Sequence, residues 1–264
     1  MNRKTVTLKS IINKEKRLVM NASLKYGNLN EHVLRVGNLI ETFFSSYIGT
    51  FDAGADLFLR FYTELRNFYM LTHFSTVRLH SDQANLDLRR MTETCCNLAY
   101  SIANPNYKDF VDTDEFGILD PSQDLKEKRN KWLKENYPDR SNDLLKIKVP
   151  IQTIAHSNLI STYKISKHVI RKNKPIRTYT SFFDKDDEYL TSIGLWQLAN
   201  AGLACLGLIY EVNRDHNKIK FIDNYEIIHS ELLTKNLAIR DLYQNLDRFK
   251  KTRIAGRTKV ESNS

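Results

Sequence analysis

Residues 52–80 read DAGADLFLRFYTELRNFYMLTHFSTVRLH, and the fold turns on how this stretch is understood. Between Leu57 and Leu71 apolar side chains fall on almost every side of a helix instead of along one stripe, which is the pattern of a helix enclosed by other helices. Asp52 stands at the N-cap position, where its carboxylate can accept the free N–H groups of the first turn. The spacing predicts an all-α fold, a multi-helix bundle around a central buried helix at residues 52–80. Arg60, Glu64, Arg66 and His73 interrupt the apolar run. An ionised group in a packed interior is costly unless it is paired, neutralised or used, so these four residues are the leading functional candidates.

Outward from this helix, the apolar rhythm predicts a run of further helices. One covers residues 5–25 and is broken at Tyr26-Gly27-Asn28, and a second covers residues 30–47. After His80, Ser81 or Asp82 serves as N-cap for a helix ending near Asn104-Pro105. Cys95 and Cys96 lie on its apolar side and read as core fillers. Residues 105–140 turn polar and form an insertion or lid, with a charged helix starting at Pro121-Ser122. Pro150 is read as the start of another helix, and residues 176–183, rich in β-branched and aromatic side chains, as an extended run. Residues 188–213 and 219–249 complete the helices. A single domain over residues 1–249 and a basic flexible tail over 250–264 are expected.

Leu190 to Val212 is long enough to cross a bilayer. Gln197 and Asn200 interrupt it and a cluster of acidic residues precedes it, so it reads as a buried core helix and no membrane span is expected. Three cysteines, two of them adjacent, fit a reducing compartment. The charged first residues lack a secretory pattern, and a cytoplasmic location is the expectation.

Lys and Arg outnumber Asp and Glu by 40 to 31, a formal charge of +9. Such a balance favours phosphate-bearing or anionic partners. The densest cationic cluster is Lys164, Lys167, Arg171, Lys172, Lys174 and Arg177, followed by Tyr179, Phe182 and Phe183. Cations beside aromatic rings suit single-stranded RNA, while the same cations at a helix C-terminus would be favoured by the helix dipole alone. No phosphate-cradling GxxxxGKS/T loop, GxGxxG, HExxH or CxxC motif occurs, and the seven histidines are scattered. Neither a metal site nor a cofactor is expected.

Phe58, Tyr62, Arg66, Tyr69 and His73 follow one another at helical spacing and share a stripe. An arginine and a histidine on one stripe can address a phosphate, the first stabilising charge and the second moving a proton. Arg60 and Glu64, one turn apart, read as an internal ion pair.

Arg66-Asn67-Phe68-Tyr69-Met70-Leu71-Thr72-His73 resembles the R-x(4–6)-H motif of HEPN domains, including the polar residue that commonly follows the arginine. That family is all-helical, and many members are metal-independent ribonucleases of toxin–antitoxin and phage-defence systems whose sites form across a dimer interface. The resemblance implies RNA as substrate, a homodimer, and an antitoxin or regulatory protein as partner. It implies that Arg66 stabilises the phosphate, His73 acts as acid or base while the 2′-hydroxyl attacks, and Asn67 supports the site. A second similarity is to helical bacterial domains in which an Arg/Glu helix faces a later histidine, here Arg60, Glu64 and His156. Against both stands a non-catalytic helical binding or regulatory protein in which Arg60, Glu64, Arg66 and His73 only fix the packing.

Overall fold

The computed structural model describes residues 7–49, 52–113, 119–155, 166–169, 177–180 and 182–246. Its helices in chain order are α1 (Leu8–Thr42), α2 (Ala53–Val77), α3 (Ser81–Ala103), α4 (Leu125–Asn136), α5 (Pro138–Ala155), α6 (Glu188–His216) and α7 (Tyr225–Gln244). Short strands β1 (Phe44–Tyr47), β2 (Val111–Thr113), β3 (Leu119–Pro121), β4 (Ser166–Val169), β5 (Arg177–Thr180) and β6 (Ile219–Phe221) pair as three two-stranded ribbons, β1–β6, β2–β3 and β4–β5. The all-α bundle read from the sequence is present.

Local chemistry explains most of the helix ends. Thr7 and Ser10 form a reciprocal capping box at the start of α1. Gly27 then bends the helix at φ +46°, a conformation that suits glycine, so the predicted break is a kink within one long helix. Asp52 caps α2 by accepting the Ala55 N–H at 2.9 Å, and Asp187 caps α6 by accepting the Leu190 N–H at 3.2 Å.

Several boundaries differ from expectation. Phe44–Tyr47 is a strand rather than the last turn of a helix, because it pairs antiparallel with Ile219–Phe221. The Phe44 ring meets Phe58 and Tyr62 edge-on at 5.1 Å and 4.9 Å. Residues 219–221 are therefore extended, and the last helix begins at Tyr225. Asn213 holds the return, its Oδ1 accepting from Lys218 N at 2.9 Å and Ile219 N at 2.7 Å. The cap of α3 is His80, after Leu79 in a left-handed conformation. Pro150 lies inside α5, which starts at Pro138, where the missing N–H leaves no bond unmade. The helix predicted beyond Pro150 is described as far as Ala155, and Ser166–Val169, within the same predicted helix, is instead the β4 strand paired with β5.

The most enclosed helix is α6, which touches α1, α2, α3, α5 and α7. Leu195, Leu198, Leu206, Leu208 and Ile209 are completely buried. Among the described residues this is the one helix long and apolar enough to cross a membrane, and 67% of its most apolar window is buried inside the protein. Helix α2 packs along α3 and against α1 and α6 but keeps one wet side, where Leu59, Met70 and Leu71 are 38%, 37% and 47% exposed.

One junction fixes how α1, α2 and α6 meet. The Tyr69 ring of α2 is buried between Gly37 of α1 and Gly202 of α6, and its hydroxyl donates to the Val33 carbonyl at 2.7 Å. A Cβ added at Gly202 would lie 2.8 Å from the ring and 2.9 Å from Val36, and the ring cannot retreat because Gly37 stands behind it. We expect Gly202→Ala to cost about 1–3 kcal/mol, the usual price of overpacking a tight core, measured by urea denaturation. Unchanged stability would contradict this packing.

Candidate functional site

Helices α1 and α2 border an open groove of about 380 Å³, lined by Leu34, Gly37, Asn38 and Glu41 on one side and Arg66, Asn67, Tyr69, Met70 and His73 on the other. All three motif candidates, Arg66, Asn67 and His73, thus border the same space. Their surroundings differ sharply. Arg66 is half-exposed and its Nη1 donates to Glu41 Oε1 at 2.9 Å. Asn67 is exposed. His73 is only 5% exposed, and its Nε2 is 2.9 Å from Asn30 Oδ1.

That contact sets the state of the imidazole. Asn30 offers an amide oxygen to Nε2 and its amide nitrogen to Ser23 Oγ at 3.2 Å. With this orientation Nε2 carries the hydrogen and Nδ1 carries the lone pair. Nδ1 is buried and has no hydrogen-bond partner among the described residues. Burial pushes the His73 pKa down to about 4, so the ring is neutral near pH 7. In that state the ring holds one hydrogen on Nε2 and a lone pair on Nδ1.

Geometry also separates the pair. Arg66 leans to Glu41 and His73 to Asn30, partners about three turns apart on α1. Arg66 and His73 share a groove but not a direct contact, so one phosphate meets both only if Arg66 leaves Glu41.

The remaining candidates divide. Arg60 is exposed and pairs with Asp56 at 2.6 Å instead of Glu64. Asp56 is one turn N-terminal to Arg60, the favoured order for an acid–base pair, and sits in the first turn where the helix dipole welcomes a carboxylate. Glu64 is exposed and accepts the Thr94 hydroxyl at 3.3 Å. The expected internal Arg60–Glu64 pair is therefore absent, and of the four polar residues thought to be buried only His73 is. His156 lies outside the described residues, as do Lys164, Arg171, Lys172 and Lys174. Lys167 and Arg177 belong to β4 and β5, where Lys167 is in register with Tyr179 and Arg177 with Val169, so this part of the basic cluster is a hairpin and not a helix C-terminus.

No family model, curated protein or solved structure matches the chain.

Several buried polar positions were missed by the sequence reading, among them Asn30, His32 and Arg129. Asn30 and His32 interrupt the apolar face of α1, and both are buried. His32 Nε2 is 3.3 Å from Asn236 Oδ1 on α7, and Asn236 Nδ2 donates to Asn200 Oδ1 at 3.1 Å. Polar residues inside an otherwise apolar rhythm were the available signal. Among the described residues Arg129 of α4 is the one buried arginine, 4% exposed and held by Asn97 Oδ1 at 2.5 Å and by Asn130. It gave no such signal, because α4 is charged throughout.

Burial also lowers the pKa of His32, aided by Lys235 and Arg35, and that of His229. A histidine that titrates lower in the folded chain than in the unfolded one takes up its proton preferentially on unfolding, so stability falls as pH drops below the unfolded value. For His73 the window runs from 6.5 down to about 4, worth on the order of 3 kcal/mol across it. We expect His73→Gln to flatten the pH dependence of unfolding between those limits by about one proton. An unchanged slope in urea melts would refute the buried neutral histidine.

Proposed function

We propose that the chain is a HEPN-like, metal-independent ribonuclease or RNA-binding effector, and that the groove between α1 and α2 receives the RNA backbone. The observation that carries this reading is the meeting of Arg66, Asn67 and His73 around one groove, with an unpaired lone pair on His73 Nδ1. Arg66 exchanges Glu41 for a phosphate oxygen, a bidentate guanidinium partner for either group. His73 Nδ1 accepts the proton of the 2′-hydroxyl as that oxygen attacks phosphorus. The P–O5′ bond breaks, leaving a 2′,3′-cyclic phosphate and a 5′-hydroxyl that takes its proton from water. Nδ1 is covered in the resting protein, so the groove lining must rearrange, and Met70, unbranched and partly exposed, is its most adaptable member.

Under this proposal the hairpin cations Lys167 and Arg177 guide RNA by charge. A homodimer joining two groove-bearing faces uses the exposed Leu59, Met70 and Leu71. A cytoplasmic setting, a toxin or phage-defence context and an antitoxin or regulatory partner belong to the same proposal.

A second reading is favoured by the two contacts that consume the motif. If Arg66–Glu41 and His73–Asn30 are clasps between α1 and α2, the protein is a non-catalytic binding or regulatory module. The two readings part on Arg66→Ala. An exposed ion pair contributes roughly 0–1 kcal/mol, so the variant should stay folded. We expect it to lose cleavage of single-stranded RNA in EDTA by at least about a hundredfold, the scale of removing one transition-state donor. Wild-type protein that neither binds nor cleaves RNA would leave the structural reading standing.

A further inference from the structure

Helix α7 lies on the outside of the bundle and leans on polar contacts. Past its first turn it fully buries one apolar side chain, Leu232, together with Asn236. Asn236 is completely enclosed and bonds to two other helices. Its Oδ1 is 3.3 Å from His32 Nε2 of α1, its Nδ2 donates to Asn200 Oδ1 of α6 at 3.1 Å, and its carbonyl accepts the Trp196 indole N–H at 3.1 Å. Two turns earlier, His229 Nε2 lies 3.0 Å from the Leu203 carbonyl of α6. One imidazole thus joins α7 to α1 and another joins it to α6.

Both rings are arranged to be neutral. Asn236 gives its nitrogen to Asn200 and so turns its oxygen to His32, which puts the His32 hydrogen on Nε2 and the lone pair on Nδ1. That Nδ1 is buried and has no hydrogen-bond partner among the described residues. The charged groups acting on His32 are Lys235 of α7 and Arg35 of α1, and α6 adds only the uncharged Asn200 and Trp196 beside Asn236. His229 faces Arg140 of α5, which pairs with Glu211 of α6 at 2.7 Å, and the Tyr225 ring stacks on it at 5.7 Å. Among the described residues no carboxylate pairs with either imidazole.

We propose that α7 is an acid-released helix: protonation of His32 and His229 frees it from α1 and α6 while the rest of the bundle stays folded, uncovering α6 at Trp196 and Leu203. An imidazolium at position 32 carries a second N–H, on Nδ1, with no acceptor to take it. A buried charge among cations is relieved by reaching water. The pivot is Asn224, left-handed at φ +61° between β6 and α7. The stability that a histidine of lowered pKa contributes is complete above its unfolded value of 6.5 and is lost as pH falls below it, so release sets in below pH 6.5.

The test is amide hydrogen exchange of the full chain at about pH 7.5 and about pH 5.5, corrected for the intrinsic pH dependence of exchange. Residues 228–244 should lose protection at least about tenfold at the lower pH, the effect of one proton taken up over one pH unit. They should also exchange faster there than α3 and α6. In His32→Gln/His229→Gln each side-chain amide can still donate to the acceptor that the imidazole served, without titrating, and most of the loss should disappear. Lys235→Glu sets a carboxylate beside His32 without touching the buried contacts, and should by itself reduce the loss by about threefold. That variant keeps the test decisive if the glutamine pair fails to fold. Protection that falls equally in α3, α6 and α7 overturns the proposal, because it reports unfolding of the whole bundle. So does α7 protection that is the same at both pH values, or a loss that neither the glutamine pair nor Lys235→Glu changes.

Discussion

The Tyr69 ring, held between Gly37 and Gly202, is the contact on which the rest depends. It brings three helix backbones close at one level, and its hydroxyl spends its hydrogen on the Val33 carbonyl, so no polar group is stranded. Glycine on both flanks is a steric necessity at this spot. Because Tyr69 is a residue of α2, locking its ring also sets the rotation of α2 about its own axis. Residues one helical turn away on the same stripe, Arg66 and His73, are thereby turned toward α1.

That rotation decides what the motif can do. On one end of the groove a half-exposed arginine is held by a half-exposed glutamate, a pair that water screens and that a phosphate can replace. On the other end a histidine is sunk into the protein, neutral, with one nitrogen committed to Asn30 and the other uncommitted. The two ends thus differ in what they tolerate. The arginine is free to exchange partners at little cost, while the histidine is tied to the stability of the α1–α2 junction.

Much of the architecture was legible because it rests on local rules. The Asp52 cap, the break at Gly27, the stop at Asn104-Pro105 and the buried character of residues 188–216 each follow from a few adjacent residues. The strand at Phe44–Tyr47 was not legible, since its partner Ile219–Phe221 is remote in sequence and no local pattern announces it. Pro150 misled because proline more often starts a helix than lies within one. In the candidate site, the stripe from Phe58 to His73 was visible, but its partners were not. Arg60 has an acidic residue one turn away on either side, Asp56 and Glu64, and only charge order and the helix dipole favour the first. Asn30 and Glu41 lie on α1, and which α1 residues face α2 is settled by the Tyr69 contact rather than by anything in the α2 sequence.

Amide and imidazole nitrogen shifts followed by NMR during titration with a short oligouridylate test the central claim most directly. The account predicts changes concentrated at residues 34–41 and 66–73, with the largest imidazole change at His73 Nδ1 and loss of the Arg66–Glu41 pairing. Changes confined to the β4–β5 hairpin, or none at saturating RNA with the groove resonances unmoved, would contradict it and leave Arg66 and His73 as parts of the helix junction alone.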